Sequence, residues 1–170
     1  MKKEIWAWGK SIIIAFIIAL ICRQFFFTPV KVVGESMQPT LQNNNMLIVS
    51  KVSEFDRLDV VAFKTDKYEE SLIKRIIGLP GDLVEVKDDV LYINGEKVDE
   101  SYLDEYKNHL SSHEVLTEDL KITVPKGSLF VMGDNREVSL DSRIFGFISE
   151  DDVIGEVKFR YFPIGEIGIP

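Results

Sequence analysis

The sequence predicts a mainly β protein, with an antiparallel β-sheet or barrel-like domain that follows one N-terminal transmembrane helix. Three observations predict this class. An apolar stretch follows a basic N-terminus, short runs rich in β-branched residues alternate with turn residues in the rest of the chain, and helical stripes are absent from most of it. A length of 170 residues suits one globular domain plus an appendage.

The first element is a largely apolar stretch from Ile5 to Ile21, which Lys10 interrupts and Arg23 follows. A helix needs about 20 residues to cross a bilayer, and charged side chains near its ends can snorkel to the interface. We therefore predict a transmembrane helix over residues 6–27. A cleaved signal peptide shares this pattern but should end in a small-residue cleavage site, and none is visible around residues 19–30.

The charges before this helix predict its orientation. Three lysines precede the apolar core: Lys2, Lys3 and Lys10. Positive charge is retained on the cytoplasmic side, so residues 1–28 are expected to form a cytoplasmic stub and membrane anchor, and residues 29–170 an extracytoplasmic β-rich domain. The lipid bilayer is therefore an expected partner. The single cysteine, Cys22, allows no intrachain disulfide, and a lipoprotein signal would need a small residue before it.

The next elements are strands. Apolar runs rich in β-branched residues predict them at 30–34, 46–51, 59–64, 71–78, 83–87 and 90–93. Asn94 and Gly95 then make a favoured two-residue hairpin turn, which returns the chain through residues 96–98. Further strands are predicted at 121–124, 128–133 and 153–162. Residues 99–119 are polar and poorly patterned, which favours a variable insertion formed by a short helix or a long loop.

Charge and histidine content narrow the possible partners and cofactors. The formal net charge is −8, and lysine and arginine form no cluster of the kind that phosphate binding needs, so no nucleic acid is expected. His109 and His113 could share a helix face and bind a metal. Because a convincing third ligand is missing, a solvated loop is favoured, and we predict no metal and no cofactor.

The first candidate for chemistry is Ser36 in the string GESMQPTL, at the end of a predicted strand. Gly34 permits a positive φ, and Pro39 stiffens the exit from the turn. Such a turn can present a hydroxyl beside free backbone N–H groups, although a serine in a Gly and Pro loop is usually only a turn former. A serine hydroxyl also needs a base, and neither histidine lies near another catalytic signal.

Lys74 is the natural candidate for that base, because it lies inside an apolar strand in LIKRIIGLPGD. Desolvation disfavours an ammonium, so an apolar site can lower the lysine pKa by several units, and only the neutral amine can accept a proton. A strand lysine that snorkels to solvent is the alternative. Arg75 would face the other side of the strand and is expected to be structural or salt-bridged.

Four strings resemble the conserved boxes of type I signal peptidases of the Gram-positive kind, which are membrane-anchored Ser/Lys endopeptidases. They are GESMQPTL, FDRLDVVAF, KRIIGLPGD and GDNREVSLDSR, in this order behind the apolar stretch. The resemblance implies that Ser36 is the nucleophile and Lys74 the general base. It implies that Ser139 hydrogen-bonds and orients the lysine amine. It also implies an Asp141–Arg143 ion pair and further supporting positions, with roles in shaping the site or holding the nucleophile turn: Asp134, Asn135, Ser142, Met37 and Pro39.

Two positions depart from the family pattern. Some relatives have a serine two residues before the nucleophile, which contributes a hydroxyl to the oxyanion hole, whereas this chain has Gly34. The backbone N–H of Ser36 is then expected to bind the oxyanion. Leu58 stands where the family often has glycine before an aspartate, which makes the local backbone geometry there the open question.

The resemblance implies the cleavage of signal peptides from exported preproteins through an acyl-enzyme. The signal peptides carry small residues at the first and third positions before the cut, and an extended substrate would pair with a strand edge such as residues 30–34. Two other functions are less favoured. One is a membrane-tethered binding or assembly domain without catalysis, and the other is a Ser/Lys protease of the self-cleaving repressor type, which would carry a DNA-binding module.

Overall fold

A computed structural model describes residues 2–65, 68–111 and 114–170 of the chain. It begins with helix α1, Lys2–Phe25, which starts and ends a few residues earlier than the predicted span of 6–27. The 18-residue stretch Trp8–Phe25 is long and apolar enough to cross a membrane, and none of it is buried within the protein. At 1.5 Å per residue it measures about 27 Å, close to the thickness of the hydrocarbon core of a bilayer.

Eleven strands and two short helices follow α1 in the described part of the chain. The strands are β1 (Phe27–Lys31), β2 (Met46–Ser50), β3 (Val60–Thr65), β4 (Tyr68–Gly78), β5 (Leu83–Lys87), β6 (Val90–Ile93), β7 (Glu96–Lys97), β8 (Leu120–Thr123), β9 (Ser128–Met132), β10 (Ile148–Ser149) and β11 (Val153–Phe162). The helices are α2 (Asp104–Lys107) and α3 (Ser142–Phe145).

The strands form two sheets. The larger has the order β1-β2-β11-β3-β4-β9-β10, and the smaller has the order β7-β6-β5-β8. All pairings between the described strands are antiparallel, which confirms the predicted mainly β, antiparallel class. β1 is an edge strand of the larger sheet, and Pro29 within it is tolerated because an edge strand need not donate on both sides.

The alternation of side chains in β3 divides the core. Val60 and Ala62 belong to an apolar cluster that includes Met37 from the Ser36 turn, whereas Val61 and Phe63 belong to a second cluster on the opposite face. A third cluster fills the space between the smaller sheet and the ends of β4 and β9. Strand periodicity thus packs the larger sheet on both faces.

The turn chemistry agrees with the sequence. Asn94 and Gly95 both have positive φ, 56° and 85°, as a type I′ hairpin between β6 and β7 requires. One predicted strand differs, since residues 30–34 leave the ladder after Lys31. Val32 still bonds the backbone of Asn44 and Asn45, and the chain then turns at Gly34, whose φ is 89°.

Leu58 adopts the left-handed conformation, with a φ of 71°. Glycine reaches this region without steric cost, whereas leucine needs compensating contacts to remain in it. The backbone of Leu58 is held on both sides, because its N–H donates to the Ile76 carbonyl (2.8 Å) and its carbonyl accepts from Arg75 Nη1 (2.7 Å). Leucine therefore preserves the local geometry, and its side chain packs against the third core cluster.

Residues 99–119 contain a 3₁₀ turn at Ser101–Leu103 and the single-turn helix α2. Leu103 and Leu116 are buried, so the segment is packed against the domain despite its polar composition. The Nδ1–H of His109 donates to the Glu105 carbonyl at 2.5 Å, while His113 lies outside the described residues. The interpretation of residues 99–119 as a variable insertion stays a prediction.

The loop after β4 is stabilised by Asp82, which is buried. Its carboxylate accepts hydrogen bonds from Arg57 Nε (2.8 Å) and Nη2 (2.6 Å), the Leu79 N–H (2.9 Å) and Asn94 Nδ2 (2.8 Å). The Arg57 hydrogen bonds contribute most, and together these donors lower the pKa of Asp82 to about 2.

We expect Asp82→Asn to destabilise the protein by roughly 1 kcal/mol near neutral pH, a value discounted because Arg57 is half exposed. The pKa of Asp82 is lower in the folded than in the unfolded chain, so its contribution is complete above about pH 4 and is lost as the pH falls toward 2. Urea unfolding of the full chain in detergent should show the deficit shrinking from pH 5 to pH 3. Asp99→Asn, at an exposed position, is the control. A deficit that stays constant over this range would contradict the assignment.

Candidate active site

The turn that carries Ser36 is built between β1 and β2. Gly34 supplies the left-handed φ, and its N–H donates to Asn43 Oδ1 at 3.2 Å. Met37 is buried in the first core cluster, so the residue after Ser36 anchors the turn. The turn closes through backbone bonds from Gln38 to Glu35 and from Leu41 to Met37. As a result the Ser36 side chain is only half-buried and faces a cavity.

Lys74 lies in the middle of β4, 38 residues after Ser36 in the sequence, and the fold places the two side chains next to each other. Its side chain is buried, and its Nζ is in hydrogen-bond contact with Ser36 Oγ. Lys74 pairs across the ladder with Val61, and its neighbour Arg75 pairs with Val60. The two side chains therefore leave opposite faces of the strand, as the sequence predicts.

The surroundings of Lys74 favour the neutral amine. Burial lowers the pKa of Lys74 from 10.5 to about 8, and it outweighs the nearby carboxylates of Asp141 and Asp134, which act in the opposite direction. Arg143 lowers the pKa further. A lysine with a pKa near 8 can accept a proton at physiological pH, which an ordinary surface lysine does far less readily.

The loop after β9 holds the backbone of the Ser36 turn. The Asn135 N–H donates to the Ser36 carbonyl at 3.0 Å, and Asn135 Nδ2 donates to the Glu35 carbonyl at 3.3 Å. Asp134, which is fully buried, accepts from Thr40 Oγ1 at 2.6 Å. The loop thereby fixes the turn at three positions, two of them backbone carbonyls beside the candidate nucleophile.

The same Asp134 binds the strand that carries Lys74. Its carboxylate accepts from Arg75 Nε at 2.9 Å and from Arg75 Nη2 at 2.6 Å, in a two-pronged ion pair. Such pairs have a defined geometry as well as favourable energy. Asp134 therefore joins the Ser36 turn, through Thr40, to β4.

The predicted Asp141–Arg143 pair is present. Arg143 Nε and Nη2 donate to the two carboxylate oxygens of Asp141 at 2.9 and 2.8 Å, and Asp141 also caps α3 through the Arg143 N–H. The Gly133 N–H donates to Asp141 at 2.9 Å. These donors outweigh burial and lower the pKa of Asp141. Ser142 Oγ accepts from the Val131 N–H at 3.0 Å, which ties α3 to β9.

Ser139 is buried beside these groups, where its hydroxyl helps to lower the pKa of Asp141, and its Oγ makes no hydrogen bond to Lys74 Nζ. Its expected bond to the Lys74 amine is not formed in this conformation and remains a prediction. The position of Ser139 is nevertheless close to the candidate nucleophile. A Cβ added to Gly133 would overlap both Ser139 and the Ser36 carbonyl oxygen.

Sequence reasoning assigned no role to three residues of this network. Gly133 allows the close approach of β9 to the Ser36 turn. Arg136 is buried and donates from Nε to the Gly133 carbonyl at 3.1 Å and from Nη2 to Glu100 Oε1 at 2.6 Å. Arg136 could have been suspected from its place between Asn135 and Ser139, but nothing in the polar segment marked Glu100 as its partner.

A small cavity of about 50 Å³ lies against the Ser36–Lys74 pair. Its lining comprises the following residues: Val32, Val33, Ser36, Met37, Glu70, Ser71, Leu72, Ile73 and Lys74. A larger cleft of about 730 Å³ lies between residues 115–122 and α3, and it includes Ser139 but neither Ser36 nor Lys74. We place the candidate chemistry in the small cavity, because, of these two, it is the one lined by both Ser36 and Lys74. In the described part of the chain, no three His, Cys, Asp or Glu side chains are placed to hold a metal.

The comparisons of this chain with known proteins agree with one another. The sequence profile of the family described as "Signal peptidase, peptidase S26" matches residues 5–162. Signal peptidase IB of Staphylococcus aureus (strain COL) is 41% identical over 181 residues, which cover 98% of this chain and 94% of that protein. Signal peptidase I of Bacillus licheniformis is 46% identical over 173 residues, covering 98% and 93%.

A solved structure is also similar. The crystal structure of a signal peptidase I from Enterococcus faecalis V583 superposes with a TM-score of 0.60 at 41% sequence identity. The match covers 62% of this chain and 97% of that one.

We expect Gly133→Ala to destabilise the protein by about 1–3 kcal/mol, because its methyl group would overlap the backbone of the Ser36 turn and the Ser139 side chain. Urea unfolding of the full chain in detergent measures the change. Gly165→Ala is the matched control, since no atom lies within 4 Å of the added methyl there. Equal stability of the two variants would show that the close approach at Gly133 is absent in solution.

Proposed function

This chain belongs to the signal peptidase family, peptidase S26, and we propose that Ser36 is its nucleophile and Lys74 its general base. The protein is a serine endopeptidase that cleaves signal peptides from preproteins at the membrane. One observation supports the residue assignment above all: the amine of a buried lysine with a lowered pKa contacts the hydroxyl of a serine that faces a cavity. Neither a non-catalytic binding domain nor a self-cleaving repressor is favoured by the relatives.

The reaction begins with neutral Lys74. Its amine takes the proton of Ser36 Oγ while the oxygen attacks the scissile carbonyl carbon, which gives a tetrahedral intermediate. The carbon–nitrogen bond then breaks, and the lysine ammonium gives its proton to the leaving amine of the mature protein. The signal peptide remains as an ester on Ser36. Lys74, neutral again, takes a proton from water as the water oxygen attacks the ester carbon. The bond from that carbon to Ser36 Oγ then breaks, the Lys74 ammonium returns its proton to Ser36 Oγ, and the signal peptide leaves as a carboxylic acid.

The negative oxygen of each intermediate needs donors. Gly34 has no hydroxyl to offer, so the backbone N–H of Ser36 is the proposed donor. Among the described residues no hydrogen bond occupies this N–H, which supports the assignment. One oxyanion donor is typically worth about 3 kcal/mol of transition-state stabilisation.

The cavity beside Ser36 supports a preference for small side chains near the cut. Val32, Val33 and Met37 give it apolar walls, and its volume of about 50 Å³ leaves little room. We propose that the small residues at the first and third positions before the cleavage site lie here. Val33 is exposed beside the end of β1, and among the described residues no hydrogen bond occupies its own N–H or carbonyl, which could therefore pair with an extended substrate.

We further propose that α1 anchors the protein with its N-terminus in the cytoplasm and residues 29–170 outside. Lys2, Lys3 and Lys10 support this orientation, because basic residues are retained on the cytoplasmic side. The junction is short. β1 begins two residues after α1 ends, and the nine residues from Phe27 to Ser36 span at most about 30 Å. The candidate nucleophile is thus close to the membrane that holds the substrate.

Substitution of the pair tests the assignment. Ser36→Ala, Lys74→Ala and Lys74→Arg are each expected to lower the kcat for a model preprotein by a factor of about 10⁴ or more, in liposomes that contain the full chain. Lys74→Arg is informative because an arginine keeps the charge but cannot act as a base. Lys64→Ala, at an exposed position of β3, should retain full activity. Cleavage by any variant of Ser36 or Lys74 near the wild-type rate would refute the proposed dyad.

The pH dependence follows from the pKa of Lys74. Since this pKa is lowered to about 8, the neutral amine is the minor form at pH 7 and the major form at pH 9. We expect kcat/KM to rise about tenfold per pH unit below this value and to level off above it, because kcat/KM reports the ionisation of the free enzyme. A flat profile from pH 5 to pH 10, or a limb near pH 10.5, would contradict a base with a lowered pKa.

A further inference from the structure

The polar segment 99–119 contacts Arg136, which lies in the loop after β9. Three groups of the segment contact this guanidinium. Glu100 Oε1 accepts at 2.6 Å, Thr117 Oγ1 at 2.9 Å and the Tyr102 hydroxyl at 3.1 Å. Residues from both ends of the segment therefore bind Arg136, whose side chain is only 1% exposed.

The segment also contacts the strand that carries Lys74. The Tyr102 ring lies over the Arg75 guanidinium, with 4.1 Å between the guanidinium carbon and the ring centre. The Tyr102 hydroxyl donates to Glu100 Oε1 at 2.8 Å, which fixes the ring relative to the ion pair. Glu100 and Tyr102 thus connect Arg75 of β4 with Arg136 of the loop after β9.

Each of these arginines is connected to Ser36 or Lys74 through a few hydrogen bonds and neighbouring residues. Arg136 holds the Gly133 carbonyl, and the N–H of Asn135, its neighbour, holds the Ser36 carbonyl. Arg75 is adjacent to Lys74 and binds Asp134, which binds Thr40 of the Ser36 turn. The distance between Ser36 Oγ and Lys74 Nζ therefore depends on how the loop and β4 are held relative to each other.

We propose that Glu100 and Tyr102 are positioning residues that hold the Ser36 turn and the Lys74 strand at reacting distance. The proposal rests on the proposed function. A purely stabilising role is the weaker explanation, because a buried carboxylate–guanidinium pair often contributes little net stability compared with apolar residues of similar volume. Its geometric precision, in contrast, is of direct use where a misplacement of about 1 Å can cost about 100-fold in rate.

The test compares Glu100→Gln and Tyr102→Phe with the wild type in the full chain, in liposomes, on a model preprotein. We expect Glu100→Gln to lower kcat about 10- to 100-fold and Tyr102→Phe about 3- to 10-fold, with KM within about twofold, because substrate contacts are unchanged. Glu118→Gln, on the exposed part of the same segment, is the control and should behave as the wild type.

A second readout separates positioning from stability. If Lys74 moves away from Ser36 and gains water, its pKa rises, and the rate deficit should shrink as the pH increases from 7 to 9. The charged groups that act on Lys74 are Asp141, Asp134 and Arg143, and none of them is altered. If the substitution only reduced the fraction of folded protein, the rate would instead fall by the same factor at every pH.

Unchanged kcat, a change in KM alone, or a pH-independent loss that follows the folded fraction would each overturn the proposal. If Glu100→Gln fails to fold, Tyr102→Phe, which keeps the ring and removes one hydroxyl, decides by the same criteria. Ser36→Ala and Lys74→Ala are measured in parallel. Cleavage by those two variants would refute the dyad itself, whereas full activity of the Glu100 and Tyr102 variants would refute only their positioning role.

Discussion

The burial of one lysine amine is the constraint on which the rest of this structure depends. An amine in water stays protonated until pH 10.5, whereas the Lys74 site lowers the pKa to about 8. That environment requires an apolar strand, closely packed neighbours and a contact for the nitrogen. β4 supplies the first, apolar residues such as Val32, Met37 and Leu72 beside the Ser36–Lys74 pair supply the second, and the Ser36 hydroxyl supplies the third. The exclusion of water thus favours the neutral amine that the proposed base requires.

Carboxylates near the amine partly oppose this effect. Asp134 and Asp141 both favour the ammonium form of Lys74. Each of them is paired with an arginine, Asp134 with Arg75 and Asp141 with Arg143, through two hydrogen bonds. Arg143 lowers the pKa of Lys74 and so offsets part of this effect, while the carboxylates still bind the backbone and Thr40. The protein therefore uses ionised groups to build a rigid site around a base that must stay uncharged.

Much of this arrangement could be predicted from the sequence, because the information is local. Strand periodicity located β4 and placed Lys74 and Arg75 on opposite faces, and the Asn94–Gly95 pair identified the hairpin between β6 and β7. Contacts between distant segments could not be predicted. Glu100 lies in a stretch without periodicity and finds Arg136 only in the folded chain. The left-handed φ of Leu58 is likewise set by its backbone partners in β4, since leucine itself does not favour it.

The junction between helix and sheet has a mechanical consequence. Lys51 donates through Nζ to the Gln24 carbonyl at 3.0 Å and the Arg23 carbonyl at 3.4 Å, and its N–H donates to the Phe26 carbonyl. These bonds join the last turn of α1 to the residue that follows β2, so no flexible linker separates the helix from the sheet. The distance between Ser36 and the end of the helix is thereby restrained. With Ser36 as the proposed nucleophile and α1 as the proposed anchor, cleavage sites would be selected by their depth relative to the bilayer.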